Sequence, residues 1–131
     1  MMEITATVLA GLVAAAVILM GCRAFWAPEG AVAFGIPGTP AKDRAFHAWI
    51  AVKGVRDIAC GVFLAVLLLL GPAPLMGWFM LIAAGIPASD AVIVLRSRGP
   101  RAAVYGIHGP TALTMLGISL LLLVVQPSPI L

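Results

Sequence analysis

Arg56 and Asp57 stand side by side at the head of a long apolar run, in the stretch Gly54-Val-Arg-Asp-Ile-Ala-Cys-Gly61 followed by residues 62–70. A charge at the centre of a membrane-spanning helix costs roughly 2.5–3.5 kcal/mol on insertion scales, so such residues pair or face a polar cavity. Two more ionisable groups stand in similar surroundings: Asp90 within a later apolar segment, and His108 near the start of the last one. Carboxylates and an imidazole withdrawn from water are the groups that general acid–base catalysis uses. An arginine bridging two aspartates would hold one ionised as a base and leave the other protonated as an acid. The catalytic candidates are therefore Asp57, Asp90, His108 and Arg56. Arg23, Tyr105, Thr111 and Trp49 are the candidates for contacting a ligand, and Tyr105 or His108 could steady a developing oxyanion.

These groups must be carried by helices in lipid. Of 131 residues, 63% are apolar and 10% charged, and the mean hydropathy is +1.14. A soluble domain of this length could not hide so much apolar surface. A hydrocarbon core about 30 Å thick needs about 20 apolar residues per helix. Residues 4–25, 52–70, 75–95 and 102–125 meet that demand. The expected fold is all-α: one integral membrane domain over residues 1–131, a four-helix up-down bundle with no soluble domain attached. The first segment has no basic leader and is too long for a signal peptide.

The connections refine this picture. Ala6, Ala10 and Ala14 recur every four residues in the first segment, as do Gly11 and Ala15. Small residues at that spacing admit a close helix neighbour, either within the chain or in a homo-oligomer. Residues 28–40 are rich in Gly and Pro and are expected to fold over the mouth of the bundle. Thr39-Pro40 reads as a helix start. Residues 42–53, with Phe46, Trp49 and Ile50 on one side, read as a short interfacial helix before the second span. Gly54 would allow the bend between the two. Gly71-Pro72-Ala73-Pro74 is a tight turn that should make the second and third spans antiparallel neighbours. Pro87 should kink the third span.

All eight basic residues lie at ends that an up-down bundle puts on one face: Arg23, Lys42, Arg44, Lys53, Arg56, Arg96, Arg98 and Arg101. The positive-inside rule sets that face in the cytoplasm, with both termini outside the plasma membrane. By the helical rise, Asp57 lies roughly 20 Å and Asp90 roughly 24 Å from the opposite ends of their spans, so both sit about 5–10 Å inside the cytoplasmic boundary. The net charge of +3 belongs to membrane flanks and not to a nucleic-acid patch. No metal or cofactor motif is visible, and Cys22 and Cys60 fit no metal spacing.

The Gly-Val-Arg-Asp-Ile-Ala-Cys-Gly stretch, an arginine ending the first span before a Pro and a Phe-Gly, the aspartate of the third span and the histidine of the fourth resemble a family of small four-span membrane proteins. That family occurs in actinobacteria and filamentous fungi and is labelled a domain of unknown function. The plan is also similar to that of the broader DoxX-like group. The resemblance implies a fold and a membrane location, marks Arg23, Arg56, Asp57, Asp90 and His108, and assigns them no roles.

Several functions fit these residues. One is acid–base isomerisation, cyclisation or epoxide opening of a lipophilic molecule arriving from the bilayer. A second is non-catalytic lipid or quinone binding, or service as an accessory subunit. Transport fits less well, because four-span exporters carry an acidic residue in mid-helix 1 and this chain has none there. If the charge bias sets the topology, single cysteines placed in the 97–100 turn will resist an impermeant thiol reagent in intact cells. Cysteines placed at 71–73 will react with it.

Overall fold

The computed structural model describes residues 1–124, among which every regular element is helical. Helix α1 spans Met2–Trp26, and a short 3-10 helix follows at Pro28–Phe34. Helix α2 spans Arg44–Leu70 and α3 spans Ala73–Arg96. Helix α4, Arg101–Val124, is a composite: an α-turn at Arg101–Ala103, a π-turn at Val104–His108, then α-helix over Gly109–Val124. The expected end of this helix at Val125, before Pro127 and Pro129, lies outside the described residues.

Helices α1, α3 and α4 are long and apolar enough to cross a membrane, which marks the chain as a membrane protein. Helix α2, with 27 residues, is longer than any of them, but Lys53, Arg56 and Asp57 interrupt its apolar run.

The expected interfacial helix does not exist as a separate element. One continuous helix runs from Arg44 to Leu70. Gly54 is not a bend. It is buried where α1 and α2 cross most closely: a Cβ there would lie 2.6 Å from the Gly21 carbonyl oxygen and 2.7 Å from Ala24 Cβ. A Cβ on Gly21 would likewise lie 2.6 Å from the Gly54 carbonyl oxygen, and one on Gly61 would lie 2.8 Å from that of Ala14. Only missing side chains let the two backbones come this near. The contacts Gly21–Gly54, Ala14–Gly61 and Gly11–Leu68 also fix the pair as antiparallel.

The helix start is corrected too. Asp43, not Thr39, caps α2, its carboxylate accepting the Phe46 N–H at 2.9 Å. The Thr39 hydroxyl instead donates to the Ile36 carbonyl at 2.6 Å. Two capping residues compete here, and the one nearer the helix leaves Thr39 to close the preceding turn.

A second antiparallel pair joins α3 to α4. The fully buried Ser119 hydroxyl donates to the Gly77 carbonyl at 3.0 Å near one end. Val94 packs with Ala103 and Val104 at the other. The two pairs share one apolar core, with Ala6, Ala10 and Ala14 of α1, Leu64 of α2, Met76, Met80, Ala83 and Ala84 of α3, and Met115, Ile118 and Leu122 of α4. The Ala6–Ala10–Ala14 stripe is thus spent inside the chain. Although only Gly71 and Pro72 separate them, α2 and α3 touch sparingly. The principal neighbour of α2 is α1, and that of α3 is α4.

The segment between α1 and α2 closes one end. Phe34 and Ile36 pack against Val94, Ala103 and Val104. Gly35 has φ +99°, a left-handed conformation that glycine takes without strain. A Cβ on Gly35 would meet Ala103 Cβ at 2.7 Å, and one on Gly99 would collide with the Gly35 carbonyl. This strap touches the ends of α3 and α4 as well as joining α1 to α2, so all eight lysines and arginines gather at its end of the molecule. If the backbone contact at Gly21 and Gly54 sets the α1–α2 pair, Gly54→Ala will lower stability by about 1–3 kcal/mol through overpacking. Gly85→Ala and Gly117→Ala, where a Cβ meets open space, will not lower it in the same thermal-unfolding assay in detergent.

Candidate functional site

Asp57 lies on α2 one turn after Lys53, and the two side chains form an ion pair of 2.5 Å. Residues four apart on a helix face one another, whereas adjacent residues diverge by about 100°. Lys53, rather than Arg56, is therefore the partner of Asp57, and Arg56 is exposed. This is the only ion pair among the described residues. The i, i+4 spacing was readable in the sequence and is the signal that would have identified Lys53.

His108 is buried, with 5% of its surface exposed. It closes the π-turn, in which the Gly109 N–H reaches back to the Val104 carbonyl. Pro110 follows; it has no N–H to give, and its ring crowds the carbonyl one turn back. Widening the preceding turn relieves that crowding, as single π-turns in helices do. The imidazole Nε2 lies 2.9 Å from the Phe34 carbonyl oxygen and donates to it. The two rings pack at 4.5 Å between centroids, tilted by 60°. A residue 74 positions away thus ties the strap to α4. The other histidine, His47, makes a similar bond from α2 to the Ala41 carbonyl at 2.6 Å.

Asp90 stands on α3 one turn after the buried Pro87. The α3–α4 register, pinned by Ser119 on Gly77 and by Val94 beside Ala103, brings it level with His108. Its half-buried carboxyl lies within Coulombic reach of His108, Lys53 and Asp57. Among the described residues no hydrogen bond or ion pair engages it.

The remaining candidates are exposed. Tyr105 is 69% exposed and Trp49 71% exposed. Thr111 is exposed and its hydroxyl donates to the Ile107 carbonyl of its own helix at 2.7 Å, which leaves it without a donor for a ligand. Arg23 is exposed and runs beside Gly30 of the strap. Phe34 was missed as a partner of His108, because a backbone carbonyl has no sequence signature.

Two of the surface grooves formed by the described residues lie near these elements. One, of about 330 Å³, lies between α1 and α4 and is lined by Val13, Gly106, Ile107, Pro110, Thr111 and neighbours. The other, of about 340 Å³, lies on the strap around Gly35–Thr39 and Pro100. Neither is lined by Asp57, Asp90 or His108.

If the His108–Phe34 bond holds the strap, His108→Ala will leave the Phe34 carbonyl unpaired at a cost of about 1–3 kcal/mol. It will also speed amide hydrogen exchange across residues 30–36, while Tyr105→Phe leaves that exchange unchanged.

Comparison with protein families matches residues 14–122 to a family described as a domain of unknown function, DUF4267. Comparison with curated proteins and with solved structures finds no match.

Proposed function

The chain belongs to the DUF4267 family, and from that premise we propose that it binds a lipophilic small molecule at the Asp57–Asp90–His108 layer of a four-span membrane domain. In this reading α2 crosses the bilayer with α1, α3 and α4, in the up-down plan of the DoxX-like proteins that the sequence resembles. The arginine-rich end faces the cytoplasm and both termini lie outside. The observation that carries the proposal is Asp90: a half-buried carboxyl, unengaged by any described residue, within reach of groups from α2 and α4. In a helix bounded by lipid, such a group is functional by default.

The same layer supplies the means for acid–base chemistry. His108 Nε2 is committed to the strap, so proton transfer falls to the carboxylates. Asp57 is held by its pair with Lys53, and Asp90 exchanges a proton with the substrate. Isomerisation, cyclisation or epoxide opening would suit this pair.

A second reading, in which the layer is a non-catalytic clamp or part of an accessory subunit, draws on the Lys53–Asp57 pair and the His108–Phe34 bond. The two part under substitution. Asp90→Asn should change the lipid-soluble metabolites of cells expressing the protein while its melting temperature holds. If the metabolites stay the same and stability or complex assembly drops, the clamp is the correct reading.

A further inference from the structure

Asp90 stands at the edge of the core face that its own helix builds, neither buried nor fully exposed. On α3 it shares a stripe with Ile82, Ile86 and Ile93, spaced i, i+4, i+8 and i+11, the spacing that puts residues on one helix face. All three isoleucines are exposed, Ile82 by 75%, Ile86 by 54% and Ile93 by 50%. The buried face is the other one: Met76, Met80, Ala83, Pro87 and Val94. Asp90 therefore stands at the border of an uncovered apolar stripe. That stripe lies along the side of α3 away from the core, and α2 touches α3 only sparingly.

The charges around it define what would be recognised. Lys53 is engaged by Asp57 in their 2.5 Å pair. His108 gives its Nε2 hydrogen to the Phe34 carbonyl. Asp90 is left as the carboxyl of this layer that no hydrogen bond or ion pair engages among the described residues. From the strap end, the way in is covered: Phe34 packs on His108, and Ile36 packs with Val94 and Ala103. The side bordered by Ile82 and Ile86 is open.

Resting on the ligand-binding reading above, we infer that the site takes a lipophilic monocation, an ammonium group on an alkyl or isoprenoid tail, entering sideways from the bilayer. The ammonium pairs with Asp90 and the tail lies along Ile86 and Ile82. The tail then runs away from the charged end, the orientation an amphiphile has in that leaflet. Asp90 lies six residues before the last residue of α3, Arg96, or about 9 Å deeper by the helical rise. A free amine can sink to that depth. The ammonium of a zwitterionic phospholipid sits beyond its phosphate and cannot, so the proposal commits to the free amine.

The test uses the full chain in phosphatidylcholine nanodiscs and compares dodecylamine, dodecanol and dodecanoate by calorimetry. Dodecylamine should bind at least about tenfold more tightly than the alcohol, as a charge pair of intermediate burial allows, and dodecanoate least. Asp90→Asn should abolish that preference and Asp90→Glu should keep it. Ile86→Trp should weaken all three with the melting temperature unchanged. Equal binding of amine and alcohol, or a preference that survives in Asp90→Asn, overturns the amine while leaving a lipophile site. Nanodiscs containing phosphatidylethanolamine that displace dodecylamine overturn the choice of a free amine. Binding of none of the three overturns the site itself.

Discussion

The rest of the structure depends on the backbone-to-backbone crossing of α1 and α2. Gly21 on one helix and Gly54 on the other remove the side chains that would hold the helices apart, and Gly61 does the same against Ala14. In lipid, helices gain little from burying apolar surface against each other, because the solvent is already apolar. Close packing of small residues is what remains to hold a pair. That crossing sets the height of Lys53 and Asp57 against α1, and so the level at which α2 presents its charges. It also explains why Gly54 cannot serve as a hinge: a residue wedged against a neighbouring backbone has no room to bend.

The second pair, α3 with α4, is held by different means. A hydroxyl, Ser119, reaches the Gly77 carbonyl at one end, and at the other the strap inserts Phe34 and Ile36 over Val94 and Ala103. The strap is what unites the two pairs at the charged end. It leaves α1, docks on α3 and α4 through Gly35 and the Phe34 carbonyl, and returns to begin α2 at the Asp43 cap. His108 sits at this junction because a π-turn, placed just ahead of Pro110, re-aims the start of α4. Side-chain direction near a helix end is sensitive to one extra residue in a turn, and here that extra residue sends the imidazole inward.

The polar layer is consequently built from three helices and a strap, with its charges unevenly matched. Lys53 and Asp57 satisfy each other within a single helix, and His108 is satisfied by a main-chain carbonyl. Asp90 alone has neighbours and no bond.

The extents of α1 and α3 and the start of α4 followed from local composition, whereas α2 begins well before its apolar run. Apolar runs of about 20 residues become helices in either lipid or a core. Partnership did not follow. Whether Arg56 or Lys53 meets Asp57 depends on side-chain azimuth, and whether Thr39 or Asp43 caps α2 depends on the path of the strap. Likewise, the small-residue stripes declared close packing without saying which helix would come close. Height along an axis is a property of the chain alone, since each residue adds a constant rise. Angle around that axis acquires meaning only when a neighbour arrives, and the neighbour of α2 proved to be α1 rather than α3.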